Sequence, residues 1–164
     1  MNIKTDFILE HLNLKNEGLL KELAVLVLKP DCAQGEIGQL MSFASENGLK
    51  LLSTRQLKLS ASEVVALYPE TFSYSDNDLV FGIGWKEETL RYMTSGQSIC
   101  YLFTGENAIA ELARFKYSLR EKYGKVTRPD SPMSPEDFKN KVIRNLVHVA
   151  DNNETQSAIW ILFS

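Results

Sequence analysis

A chain of 164 residues, 44% hydrophobic and 24% charged, is long enough for one domain with a full core and short for two. Eighteen basic and twenty-one acidic side chains leave a net charge of −3, which argues against a broad nucleic-acid or anionic-membrane surface while allowing a local basic pocket. The two cysteines, Cys32 and Cys100, are too few for a disulfide scaffold and suit a reducing compartment, where they pack as small hydrophobes.

Residues 1–21 lack the apolar stretch and cleavage site of a signal peptide, and no apolar run approaches a membrane span, so the expected location is the cytoplasm. Phe7, Ile8, Leu12, Leu14, Leu19 and Leu20 are loosely helical in spacing and predict an N-terminal arm ahead of a domain over 22–164. That domain opens with AVLVL, a run apolar enough for a strand covered on both faces. A turn over Asp31–Gly35 leads into a helix with Ile37, Leu40, Met41 and Ala44 on one stripe and Gly48 as its C-terminal cap. LKLLSTRQLKLS reads as a second strand, with Leu57 and Leu59 on one face. Ser60 and Glu63 form a capping box for a helix ending near Pro69. PETFSYSDNDLVFGIG, rich in turn formers, is the expected loop or lid.

WKEETLRYMTSG reads as helix and SICYLFTG as a third strand. The next helix carries Ala108, Leu112, Phe115 and Leu119 on one stripe. A loop with three prolines follows, then Ser134 and Pro135 as cap and first position of a short helix. RNLVHVAD supplies a fourth strand, and NETQSAIWILFS a last helix or tail. This order predicts an α+β domain, a ferredoxin-like βαββαβ sandwich on a four-stranded antiparallel sheet with an inserted helical hairpin or lid. SICYLFTG lacks the basic and aromatic pattern of an RNA-reading sheet.

Chemistry has to come from particular residues. Lys29, leaving a buried strand, can aim its ammonium into a cleft as a phosphate-binding charge, although Lys-Pro-Asp alone reads more simply as a solvated turn. His148, one of two histidines, is a nucleophile when neutral, and a strand would hold its ring rigidly. Taken alone, Leu-Val-His-Val reads more simply as a core strand. No His, Cys or carboxylate cluster stands near it at metal-ligand spacing.

Taken in order, several pieces resemble the nucleoside diphosphate kinase family: Lys-Pro-Asp after strand one, Tyr68 at the end of the inserted helix, TSG before strand three, GENA opening the next helix, and Arg-Asn-x-x-His-x-x-Asp near the end. The resemblance runs from about Glu22 to Phe163, and RNLVHVAD is its most specific piece. It implies the ferredoxin-like fold and transfer of a γ-phosphate from a nucleoside triphosphate to a nucleoside diphosphate through phosphohistidine. Carried over by position, His148 is the phosphate carrier, with Lys29 at the transferring phosphate and Tyr68 beside it. Asn145 would bind the sugar and Trp85 would stack on the base. Arg114 lies one residue out of step with a phosphate-binding arginine, and Thr127 matches a threonine after it. Mg²⁺ is the implied cofactor, arriving on the nucleotide, and a homo-oligomer is the implied assembly, without nucleic-acid or membrane partners.

The chain also departs from the family pattern. Pro135 replaces an arginine, with Arg128 nearby as a possible substitute, and Ala158 stands at or near the place of the glutamate that orients the histidine. The serine usual after the histidine is lost in Val149-Ala150, the lid is longer, and the proline-rich loop and tail that support family oligomers are shorter. Besides an active kinase, the sequence leaves open a nucleotide-binding module with weakened catalysis and a protein-interaction module of the same fold.

Overall fold

The structure is a computed structural model that describes residues 22–32, 35–73 and 79–164. The expected N-terminal arm and the middle of the expected lid, 74–78, lie outside the described residues. The main sheet has four antiparallel strands, β1 (Glu22–Leu28), β2 (Lys50–Leu57), β5 (Ser98–Gly105) and β6 (Val147–Val149), in the order β2-β5-β1-β6. That is the ferredoxin-like arrangement expected from the order of elements. Residues Leu23–Leu28 are all buried because helices cover both faces of the sheet. Leu23, Val25 and Val27 enter one core layer, and Ala24, Leu26 and Leu28 enter the other, as strand alternation requires.

The second layer is closed by helices α1 (Gly35–Glu46) and α5 (Ala108–Lys122). Gly48 follows α1 with φ +68, and the Leu49 amide reaches back to the Ala44 carbonyl at 2.8 Å, so the glycine closes the helix in a left-handed cap. The stripe Ala108, Leu112, Phe115 and Leu119 is buried along α5.

The first layer is built from the insertion between β2 and β5 and from the end of the chain. Helix α2 (Ala61–Leu67) starts at the expected capping box, with the Ser60 amide donating to Glu63 at 2.7 Å. A short helix α3 (Pro69–Ser73) follows it. The expected lid holds a hairpin, β3 (Leu79–Val80) and β4 (Ile83–Gly84), turned by Phe81 and Gly82 with both φ values positive. Phe81 accepts that conformation while its ring packs edge-on against Phe138 at 5.4 Å. Helix α4 (Trp85–Met93) completes the insertion. Late in the chain, Ser134 caps α6 (Pro135–Asp137) by accepting from the Asp137 amide, and the helix widens into a π-helical stretch, Phe138–Ile143. Helix α7 (Thr155–Phe163) ends the fold.

The fourth strand is shorter than RNLVHVAD predicts. Two tight turns precede β6, closed by Asn145 N–H to the Ile143 carbonyl at 3.0 Å and Val147 N–H to the Asn145 carbonyl at 2.9 Å. Leu146, central in the second, has φ +73, a left-handed conformation that costs a non-glycine residue about 1–3 kcal/mol. Strand two likewise stops at Leu57, and Leu59 enters the core beyond its end.

Leu112 is fully buried under α5, so Leu112→Ala should lower the urea-unfolding free energy by about 2–5 kcal/mol. A loss well below 1 kcal/mol would mean that α5 is not packed on the sheet as described.

Candidate active site

The end of β1, the end of α2 and the approach to β6 converge at one edge of the sheet. Lys29 is the first residue past β1 and is only 5% exposed despite its charge. Its Nζ donates to Asn145 Oδ1 at 2.6 Å and lies 5.4 and 5.6 Å from the ring centroids of Tyr68 and Tyr92. Burial, reinforced by the Arg120 guanidinium, pulls the Lys29 ammonium down to about 7, while Asp31 opposes the change. Asp31 accepts a short hydrogen bond from the Tyr92 hydroxyl.

His148 pairs with Val27 across β6 and β1, on the same side of the sheet as Lys29. Its ring meets the Tyr68 ring at 4.6 Å with a 48° tilt, and its side chain keeps 15% of its surface exposed. Nε2 is buried without a hydrogen bond, 3.7 Å from Glu154 Oε2. Burial, followed by the charges of Lys29, Lys116 and Arg120, holds the imidazole well below its usual pKa. It is therefore neutral at physiological pH. Tyr68, whose hydroxyl contacts Met93 Sδ at 3.8 Å, is held protonated by burial.

Arg120 belongs to the other layer and reaches around the open edge of β6. Its Nη2 donates to the Val147 carbonyl at 2.9 Å and its Nη1 to Thr127 Oγ1 at 3.0 Å. The guanidinium is thus fixed one residue from His148. Lys116 precedes Arg120 by four residues on the same face of α5.

Beside this cluster opens a cavity of about 620 Å³. Lys29, Tyr68, Thr127 and Asn145 belong to its polar lining, with Thr71 and Thr89, and Trp85 and Val142 belong to its apolar wall. The volume suits a mononucleotide-sized ligand. His148 does not itself line the cavity and sits behind Tyr68, which does.

Lys29, Tyr68, Trp85, Thr127 and Asn145 are therefore brought to one cavity, with His148 against it. Arg114 is not. It is exposed on α5, paired with Glu111 at 2.6 Å and Asn47 at 2.5 Å, with its guanidinium over Phe43. Arg120 lies six positions further on, which turns the two about 120° apart around the helix. Arg128 is exposed between Thr127 and Pro129 and does not line the cavity. Arg120 and Glu154 escaped the sequence reading, although the spacing Asp151-x-x-Glu154 is a readable capping signal next to His148.

The nucleoside diphosphate kinase of Wolbachia pipientis subsp. Culex pipiens (strain wPip) is 28% identical over 134 residues, covering 81% of this chain and 86% of that protein. That of Saccharolobus solfataricus is 24% identical over 148 residues, covering 88% and 96%. Among solved structures, an NDP kinase from Pyrobaculum aerophilum superposes with a TM-score of 0.60 at 22% identity, covering 87% of this chain and 96% of that one. A halophilic nucleoside diphosphate kinase from Halobacterium salinarum in complex with CDP gives 0.58 at 21% identity, with 88% of each chain covered. At these identities the solved structures bear on the fold alone. The nucleoside diphosphate kinase family model matches residues 22–164, and the chain belongs to that family.

Proposed function

We propose that the protein transfers the γ-phosphate of a nucleoside triphosphate to a nucleoside diphosphate, with His148 as the intermediate carrier. The observation that carries this reading is a neutral, partly exposed imidazole among three cations, beside a cavity of nucleotide size. The base stacks on Trp85 against the Val142 side of the cavity, a contact that any base can make. Asn145 and Lys29, already hydrogen-bonded to each other, receive the sugar and the phosphates. Arg120 and Lys29 oppose the charge that spreads over the transferring group.

Transfer is ping-pong. A ring nitrogen of His148 forms a bond to the γ-phosphorus as the bond to the β–γ bridging oxygen breaks, and the diphosphate leaves with that electron pair. The second diphosphate reverses the step. Among the described residues the cavity lining includes no carboxylate, and no three His, Cys, Asp or Glu side chains gather as a metal cage. Mg²⁺ would arrive as part of a MgATP substrate and would supply positive charge at the phosphates alongside Lys29 and Arg120. A second reading, nucleotide binding without turnover, is favoured by Arg128, which is exposed and does not line the cavity.

Incubation with γ-labelled ATP and Mg²⁺ should give an acid-labile, base-stable phosphoprotein. The label should chase onto added diphosphate and be absent from His148→Ala. Nucleotide binding without label would instead select the second reading. Arg120→Ala should lower kcat/KM by about a hundredfold or more, whereas Arg114→Ala should stay within about twofold because its partners are elsewhere.

The pH profile follows from the two shifted groups. His148 acts neutral, so the acid limb of kcat/KM should lie well below pH 6.5. Lys29 acts charged and, in the free enzyme, loses its proton near pH 7, so kcat/KM should fall about tenfold per unit above that. Bound triphosphate favours the ammonium, so ATP binding at pH 8 should take up a proton, measurable by calorimetry in buffers of different ionisation enthalpy. Absence of that uptake would mean Lys29 does not face the phosphates.

A further inference from the structure

The residue expected to orient the imidazole is missing at Ala158, which is buried in the apolar core on α7. Glu154 precedes it by four residues, one helical turn on the same face, and its backbone is already helical. The Glu154 carboxylate is itself held. Its Oε2 accepts from the Asp151 amide at 3.3 Å, while Asp151 Oδ1 accepts from the Glu154 amide at 3.0 Å. This reciprocal pair is a capping box, and it points Oε2 toward His148 Nε2 at 3.7 Å. Nε2 is sealed from solvent and otherwise without a partner, so the exposed part of the side chain leaves Nδ1 as the nitrogen able to meet a phosphate.

We infer that Glu154 is the positioning residue of His148, its carboxylate holding the ring in the Nε2–H tautomer. The inference rests on the phosphohistidine reading above and adds to it which carboxylate orients the ring. When Nδ1 bonds to the γ-phosphorus and the diphosphate departs with the electrons of the broken P–O bond, the Nε2 proton stays on the ring. The ring gains positive charge in that step, and the Glu154 carboxylate opposes it. At 3.7 Å the contact is within ion-pair reach and longer than a hydrogen bond, so the carboxylate moves closer as the charge develops. Lys116 and Arg120 repel that charge and cannot take this part.

Two variants of the full chain test this. Glu154→Gln keeps a capping acceptor and removes the charge; Glu154→Ala removes both. Both should lower kcat by about tenfold or more with KM for ATP little changed, and only Glu154→Ala should lose thermal stability, since it alone lacks the cap. The chain has only two histidines, His11 and His148, so ¹⁵N-histidine labelling, assigned with His148→Ala, reads the tautomer directly. The wild type should show Nε2–H, and Glu154→Ala a mixture or the Nδ1–H form. An unchanged tautomer in Glu154→Ala, or an unchanged kcat in either variant, overturns the inference. Should the wild type take no label from ATP, the phosphotransfer reading fails, while the tautomer measurement still decides whether Glu154 holds the ring.

Discussion

Buried positive charge without its anion is the constraint on which this site depends. Lys29 sits almost wholly out of solvent, and its ammonium meets an amide oxygen and two aromatic faces instead of a contacting carboxylate. Asp31, the acid nearest to hand, is engaged by the Tyr92 hydroxyl. Arg120 and Lys116 add to the same field from another helix. Burying a cation so is unfavourable, and the surrounding fold has to support it. Burial, together with the same field, keeps His148 neutral, as its proposed role requires. A polyphosphate entering as proposed would supply the missing negative charge, its binding favoured by the cost already met in folding.

That electrostatic arrangement is possible only because the backbone breaks its own alternation. Asn145 and His148 are three residues apart, and in a regular strand an odd separation sends side chains to opposite faces. The strained turn at Leu146 resets the parity. Asn145 can then reach Lys29 while His148 meets Tyr68, both on the side of the sheet where the cavity opens. The Leu146 carbonyl takes a hydrogen bond from the Lys29 amide at 2.8 Å, which ties the strained turn to the strand end that carries the ammonium. Strain and buried charge thus hold each other in place.

What could be read from the sequence follows the strength of its periods. The buried run of β1, the apolar stripe of α5, the capping box at Ser60 and the cap at Ser134–Pro135 rest on local rules, and each forms where expected. The hairpin in the lid was hidden because its turn uses Phe81 at positive φ, where Gly, Asn or Asp would have signalled it. The turns before β6 were hidden because RNLVHVA is as apolar as a strand, and only backbone hydrogen bonds reveal the break. Lys29, Tyr68, Trp85 and Asn145 were joined into one site only by the resemblance to the family, since no local rule places them near one another.

Position in the chain is a poorer guide where a group is supplied by a helix. A helix presents the same face again after one turn, so a charge needed at one point in space can come from a residue four places away. Counting along α5 from its first turn leads to Arg114, yet the guanidinium beside His148 comes from Arg120, fixed by Thr127 in the following loop and by the Val147 carbonyl. Counting along α7 leads to Ala158, yet the carboxylate beside Nε2 comes from Glu154, one turn earlier. In α7 the carboxylate comes from one turn earlier on the same face, whereas in α5 the guanidinium comes from six positions on and a different side of the helix. A missing residue at a matched position is therefore weak ground for a missing activity, because a helix can deliver the same charge to the same place from the next turn.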